Sequence, residues 1–295
     1  MDNNMNMTNR KQSFLKKNWI TITMIVLGLV IIVSGIMIVA TFLEYRAGDK
    51  FYSDSRNSFI TELPPATVIP PATTVPTVPP TTPSTVPTTA PTQPEEPVVP
   101  EDPTPGIEVN FARLREINPD IIGWILVKDT PISYPLLAGI DNEKYLKNTY
   151  DGTESRLGSI FVDMLNANDF SDNHTLIYGH NMQTGAMFGR LSRFGKQDFV
   201  KEHPYVYIIT PDGYLKYKIF SAHTANVTEV IFTRKFETSS QYREFINLAS
   251  RSSWITGGVS VTTGDKVITL VTCTSSSKRE ERFVVHAVLI EDTRK

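Results

Sequence analysis

Cys273 is the only cysteine in this chain of 295 residues, and it ends an apolar run, Val267–Cys273. A single cysteine forms no intramolecular disulfide and supplies only one thiolate to a metal. A thiolate paired with a histidine is a nucleophile suited to acyl transfer. The alternative is an inert thiol that fills a small apolar space at the end of a strand.

Five histidines are candidates for the partner of the thiol: His174, His180, His203, His223 and His286. Spacing along the chain does not choose among them, because such partners are neighbours in space. His180 is favoured since it directly follows a strand-like run and Gly179. His223 also follows such a run and is the rival, although we expect it to be a bystander. His174 and His203 look like loop residues and His286 alternates within the last strand, so these three receive no role.

The N-terminal region contains an apolar run, Trp19–Leu43, that no charge interrupts. About 20 such residues span a bilayer as a helix. Four basic residues between positions 10 and 17 favour a cytoplasmic N-terminus. A cleaved signal peptide fits less well, because its apolar region has about 7–15 residues and ends at small residues. The sequence predicts a cytoplasmic tail at 1–18, a transmembrane helix at 19–43 and an extracellular remainder.

Residues 62–106 hold 15 of the 20 prolines in the chain, many of them after threonine. Proline fixes φ and removes a backbone donor, which favours an extended polyproline spacer. We therefore expect a juxtamembrane segment and Pro/Thr-rich linker at 44–106, followed by one folded domain at 107–295. The net charge of −2 and the absence of a basic-aromatic stripe argue against a nucleic-acid partner.

The folded part is predicted to be mostly β, a barrel or a sandwich with a few helices. Helical spacing is found at Phe111–Asn118, Ala186–Arg193 and Ser239–Ser250, with one or two turns in Asp141–Asn148. A hairpin turn is predicted at Pro211–Gly213. The predicted strands are Ile121–Val127, Tyr134–Leu137, Ser159–Phe161, Thr175–Tyr178, Tyr205–Thr210, Tyr214–Ala222, Lys266–Thr272 and Arg282–Leu289.

Four motifs in this part together resemble class B sortases, which are membrane-anchored cysteine transpeptidases of Gram-positive bacteria. The motifs are Gly158–Phe161, Thr175–Met182, Met187–Leu191 and Thr269–Cys273. The helix-containing stretch before the cysteine strand also resembles the corresponding loop of class B. The resemblance covers most of 107–295. It implies a closed β-barrel with a few peripheral helices, including an N-terminal helix and a helix before the cysteine strand.

The resemblance also implies roles for individual residues. Cys273 matches the nucleophile, and His180 matches the histidine that pairs with the thiol and protonates the leaving amine. Arg282 matches the arginine that orients the substrate and stabilises the oxyanion, a role that suits the permanent charge of a guanidinium. Arg279 is a near competitor, but Arg282 directly precedes the last strand, as in the family pattern. No metal or other cofactor is expected.

Two further positions, Asn142 and Leu146, resemble residues that line the peptide groove of class B sortases. The alternative is a surface asparagine and a core leucine. The chain departs from the family pattern at Ser275, where some members have an acidic residue, and at Val271, where serine is frequent. Both departures bear on how the histidine and the peptide are held.

The resemblance implies a single-pass enzyme with an extracellular catalytic domain. It would cleave a C-terminal sorting signal of secreted proteins through a thioacyl intermediate and join the product to an amine of a peptidoglycan precursor. A pilin polymerase that uses a pilin lysine as the acceptor is the main alternative. A plain hydrolase and an inactive, surface-displayed binding domain are the others.

Overall fold

The computed structural model of the chain describes residues 2–63, 104–273 and 280–295. The helices are α1 Asp2–Phe59, α2 Phe111–Ile117, α3 Lys144–Lys147, α4 Gln197–Glu202 and α5 Ser239–Arg251. The strands are β1 Ile60–Glu62, β2 Ile107–Val109, β3 Ile121–Leu126, β4 Ser133–Ala138, β5 Ile160–Val162, β6 His174–Tyr178, β7 Tyr205–Thr210, β8 Gly213–Asn226, β9 Val267–Cys273 and β10 Glu281–Asp292.

Eight of these strands close into a barrel in the order β10-β8-β7-β3-β4-β5-β6-β9. Neighbouring strands are antiparallel except for the pairs β4–β5 and β6–β9, which are parallel. The predicted closed β-barrel is therefore confirmed. Each predicted strand lies within an observed one to within a few residues, and Pro211–Gly213 forms the predicted turn between β7 and β8.

Apolar side chains fill two cores, one inside the barrel and one outside it. Trp124, Phe161 and Tyr217 are fully buried in the first. The second lies between the barrel wall and α5, whose buried face is formed by Tyr242, Phe245, Ile246 and Ala249. α5 is the helix predicted before the cysteine strand, and a capping box of Thr238 and Gln241 fixes its first turn.

The helix that starts in the N-terminal tail continues well past the apolar run, as far as Phe59. Tyr52 and Phe59 are buried and extend the first core out to this helix. The Tyr52 hydroxyl donates a hydrogen bond of 2.6 Å to the carbonyl oxygen of Gly158, and the Ser55 and Tyr150 hydroxyls lie 2.8 Å apart. The C-terminal part of α1 is thus packed against the barrel.

The proline content led us to expect that the folded part begins at residue 107, but it begins earlier in the chain. β1 pairs antiparallel with β2, and the Leu63 amide donates to the Gly106 carbonyl at 2.9 Å. The expected Pro/Thr-rich linker lies mostly outside the described residues, but it leaves and rejoins the fold at adjacent strands. A chain that begins at residue 107 would lack the aromatic residues that α1 contributes to the core.

The helix predicted at Ala186–Arg193 is wrong. Met187 has a φ of 52° and forms an isolated bridge with Asn181. A Cβ on Gly189 would collide with the Met182 carbonyl oxygen, so the loop can close on itself only with glycine there. Helical structure begins later, with a 3-10 turn at Leu191–Gly195 and then α4.

Candidate active site

The register of the last two strands places Arg282 opposite Cys273. β9 and β10 are antiparallel, and Arg282 and Cys273 are direct partners in the ladder. Such partners have Cα atoms about 4.5–5.5 Å apart. Two residues separated by eight others in the sequence therefore lie side by side at one end of the barrel.

The parallel pairing of β6 with β9 brings His180 to the same end. Tyr178 is the partner of Val271, and the Gly179 amide donates to the Val271 carbonyl at 3.1 Å. His180 lies two residues after Tyr178, and the backbone of Cys273 lies two residues after Val271. The Cys273 side chain, the polar run Thr274–Ser277 with Ser275, and Arg279 lie outside what the structure describes.

His180 is half-buried, and its Nε2 atom lies 2.7 Å from the carbonyl oxygen of Leu146. A carbonyl oxygen only accepts, so Nε2 must carry a proton in this contact. Proton gain and loss then take place at Nδ1. Gly158 makes this arrangement possible, because a Cβ there would lie 3.0 Å from Cδ2 of His180 and 2.6 Å from the Tyr145 carbonyl oxygen.

A groove of about 410 Å³ runs along this end of the barrel. Its lining includes four of the five residues singled out from the sequence, and Cys273 directly follows two of its lining residues in β9. Leu146 is 38% exposed, so it is not the core leucine of the alternative interpretation. The lining residues are Asn142, Leu146, Phe161, Tyr178, Gly179, His180, Val271, Thr272 and Arg282.

A second pocket, of about 460 Å³, adjoins the groove at Leu146 and His180. Glu44, the residue that directly follows the apolar run of α1, lines it together with Arg156. The Arg156 Nε atom lies 3.8 Å from a Glu44 carboxylate oxygen. The helix that leaves the apolar run therefore contacts the barrel beside His180.

Three of the other histidines lie in the core beneath α5, where they form a histidine cluster with Thr269. His174, His223 and His286 are each at most 1% exposed. Burial lowers the pKa of His174 to about 4 and lowers those of His223 and His286 as well. His174 is the first residue of β6, so our expectation of a loop residue is wrong.

Sequence reasoning missed Asp163, a fully buried carboxylate directly behind the groove. It accepts hydrogen bonds from Asn142, Tyr178 and Arg234. The only signal in the sequence is an acidic residue directly after an apolar strand, which does not identify its partners.

Comparison with known proteins identifies the family of the chain. The sortase domain family matches residues 125–290. Sortase B of Listeria monocytogenes is 33% identical over 178 residues, which cover 60% of this chain and 72% of that protein. Sortase B of Staphylococcus aureus is 32% identical over 186 residues, which cover 63% of this chain and 76% of that protein.

A crystal structure of S. aureus sortase B superposes on this fold with a TM-score of 0.58 at 33% identity, covering 62% of this chain and 87% of that one. The family match spans more than half of the chain, and the curated relatives are matched over more than two thirds of their length. The chain therefore belongs to the sortase family of cysteine transpeptidases, in class B.

Proposed function

We propose that this sortase is anchored in the membrane by α1, cleaves a C-terminal sorting signal of secreted proteins and joins the product to an amine of the cell wall. The observation that carries the proposal is the strand register, which brings the backbone of Cys273, His180 and Arg282 to one end of the barrel beside a groove. In support, a solved structure of S. aureus sortase B is a substrate complex.

In the first step the Cys273 thiolate attacks the carbonyl carbon of the scissile peptide bond. A bond forms between sulfur and carbon, and the negative charge moves to the carbonyl oxygen, where the Arg282 guanidinium stabilises it. The carbon–nitrogen bond then breaks. His180 gives a proton from Nδ1 to the leaving amine, while Nε2 keeps its proton and donates it in the hydrogen bond to the Leu146 carbonyl oxygen. The products of this step are a thioester on Cys273 and a free amine.

In the second step an acceptor amine attacks the thioester. His180 removes a proton from the attacking nitrogen, a new amide bond forms and the Cys273 thiolate is released. The enzyme returns to its starting state without an oxidant, a reductant or a cofactor. In support of an amine acceptor, another sortase B structure similar to this chain is a complex with triglycine.

The position of α1 supports the anchoring part of the proposal. Within the described residues, α1 is long and apolar enough to cross a membrane, with a mean hydropathy of 2.9 in its most apolar window. Glu44 follows the apolar run and lines the pocket beside His180. The active site would then lie close to the outer membrane surface, where the substrate and the acceptor meet.

The test is mass spectrometry of products from a sorting-signal peptide library. The full chain in detergent is incubated with each peptide and with triglycine, a lysine-containing pilin peptide or no amine. We expect a peptide–glycine product, with slow hydrolysis when the amine is left out. A product joined only to the pilin lysine would show that the acceptor is a pilin and not the cell wall. Unchanged turnover by Cys273→Ala, or no turnover of any peptide by the wild type, would overturn the proposal.

A further inference from the structure

Asp163 lies directly behind the groove, at the first position after β5. Its side chain is completely buried. The Oδ2 atom accepts hydrogen bonds from the Asn142 side-chain amide at 3.1 Å and from the Tyr178 hydroxyl at 2.9 Å. The Oδ1 atom accepts from the Leu165 backbone amide at 3.0 Å. One carboxylate thus holds two side chains that line the groove.

Arg234 binds the same carboxylate from the connection between β8 and α5. Its Nε and Nη2 atoms donate to Oδ2 of Asp163 at 3.0 and 2.8 Å. Burial would raise the pKa of Asp163, but the Arg234 guanidinium and the Leu165 amide hold it below its usual range. The carboxylate is therefore charged, and charge-assisted hydrogen bonds of this kind are stronger than neutral ones.

The two bonds made by Asn142 fix the orientation of its amide group. The nitrogen faces a carboxylate that only accepts, and the oxygen accepts from the Met164 backbone amide at 2.8 Å. In a flipped amide the Asn142 oxygen would face the Asp163 carboxylate and the nitrogen would face the Met164 amide, so neither hydrogen bond could form. One N–H and one lone pair of the amide are not used by these two bonds, and they can serve a peptide in the groove.

The hydroxyl bond of Tyr178 fixes the position of its ring in the same way. The ring packs against Phe161 with centroids 5.5 Å apart, and both residues line the groove. Tyr178 is also the last residue of β6, two residues before His180. The position of this ring therefore sets the shape of the groove next to the proposed catalytic histidine.

We propose that Asp163 is a positioning residue for peptide binding, which holds Asn142 and Tyr178 in the groove wall and ties the β8–α5 connection to that wall through Arg234. Asp163 and Arg234 are not among the residues that line the groove. This inference rests on the proposed function, because it takes the groove as the site of the sorting peptide. Asp163 acts on peptide affinity and leaves the reacting groups alone.

The test compares kcat and KM of Asp163→Asn with those of the wild type on the best peptide from the library. Asparagine keeps the size of the side chain but loses the charge and one acceptor. We expect KM to rise by about tenfold to a hundredfold while kcat stays within about threefold. Alkylation of Cys273 by iodoacetamide should keep its wild-type rate, since this small reagent does not use the groove wall.

Asp172→Asn is the matched control. Asp172 also accepts from an asparagine side chain and a backbone amide, those of Asn166 and Ala167, but it contacts no residue of the groove lining in the described structure. Its KM should be that of the wild type. A double-mutant cycle completes the test: in an Asn142→Ala, Tyr178→Phe background, Asp163→Asn should add little to KM.

An unchanged KM in Asp163→Asn, a fall in kcat alone or additive effects in the cycle would overturn the inference. If the wild type turns over no peptide, the proposed function fails; if it does and Asp163→Asn matches it, only this inference fails. Should Asp163→Asn fail to fold, as judged by circular dichroism, Tyr178→Phe removes one bond and leaves the buried carboxylate paired with Arg234. Tyr178→Phe is expected to raise KM about threefold, and an unchanged KM would again overturn the inference.

Discussion

Strands β6, β9 and β10 each bring one residue to the histidine cluster and one to the proposed catalytic site, although the second residue of β6 lies two positions past the end of that strand. In that strand order the pairs are His174 and His180, Thr269 and Cys273, and His286 and Arg282. Neighbouring strands thus build two polar regions only four to six positions apart in sequence. One region is sealed beneath α5, whereas the other borders a groove.

In the histidine cluster the hydrogen bonds of His174, Thr269 and His286 form a chain whose direction is fixed at one end. His174 Nδ1 lies 2.6 Å from the Thr233 carbonyl oxygen and must donate to it. In the neutral ring Nε2 then accepts from the Thr269 hydroxyl at 2.6 Å, and the Thr269 oxygen accepts from Nδ1 of His286 at 2.7 Å. This arrangement needs neutral rings, and burial favours them.

His180 has the opposite environment. Within the described residues it has a single hydrogen bond, from Nε2 to a carbonyl, it is half-exposed, and it lies at the groove with Arg282. Its Nδ1 is not part of a buried hydrogen-bond network in the described structure. The comparison teaches that burial and partners, and not the residue type, separate a structural histidine from one that can transfer a proton.

Removal of the imidazole at the groove should have the largest effect. We expect His180→Ala to lower kcat/KM for the sorting peptide by about 10²–10⁴-fold, because a positioned acid–base group contributes that much. The melting temperature should change little, since the side chain is half-exposed and is held through its Leu146 contact. His223→Gln is the control, and it should keep its kcat per folded enzyme. If His223→Gln loses activity and His180→Ala does not, the assignment of the two histidines is wrong.

Arg282→Lys should have the next largest effect, a loss of about 10²-fold or more in kcat, as for the loss of an oxyanion donor. Lysine keeps the charge but not the planar fork of donors. The change lies in β10, the same strand as His286, so thermal unfolding serves as the check on the fold. A variant with normal kcat and a raised KM would assign Arg282 to peptide binding instead.

In the histidine cluster the same kind of substitution should change stability and not catalysis. His174→Ala leaves the Thr233 carbonyl and the Thr269 hydroxyl without their partner. We expect the free energy of unfolding to fall by about 2–4 kcal/mol. Urea unfolding measures the loss, and kcat of the folded fraction should stay near the wild-type value. Wild-type stability together with a large loss of kcat would move His174 into the catalytic site.

The pH dependence of stability should change by no more than the loss expected for His174→Ala, and the effect is spread over about 2.5 pH units. The pKa of His174 is about 4 in the folded protein and about 6.5 when unfolded. Between these values the unfolded chain binds more protons, so stability falls as the pH drops from about 6.5 to 4. The slope for one group is about 1.4 kcal/mol per pH unit, or about 3 kcal/mol in total.

Urea unfolding of the wild type and of His174→Gln between pH 7 and pH 4 measures this slope. Glutamine does not titrate, so the free energy of unfolding of His174→Gln should depend less steeply on pH, by the contribution of one titrating group. Equal slopes for the wild type and His174→Gln would show that His174 does not stay neutral in the folded protein.

Much of the barrel could be predicted from the sequence, because its strands alternate or form short apolar runs bounded by turns. The family motifs also placed His180, Cys273 and Arg282, and the register brings these positions together. Asn142 and Leu146 likewise lie at the groove. In these cases a local pattern carries the information that the fold uses.

Other features depend on contacts distant in sequence, and no local pattern shows them. Tyr52 packs against barrel residues, such as Tyr134, that follow the proline-rich stretch in the sequence. Composition alone therefore placed the start of the folded part too late. The buried Asp163 carboxylate is paired with Arg234, which lies 71 residues away in the sequence. His174 looked like a loop residue because Asp and Asn precede it, although it is the first residue of a buried strand.

Peptide-mapping mass spectrometry of the acyl-enzyme tests the central claim most directly. The full chain is mixed with a sorting-signal peptide without an amine acceptor, quenched in acid and digested. The account predicts an acyl adduct on Cys273 that forms in the wild type, decays when triglycine is added, and forms much more slowly in Arg282→Lys and His180→Ala. An adduct on another residue, or peptide cleavage by Cys273→Ala, would contradict it.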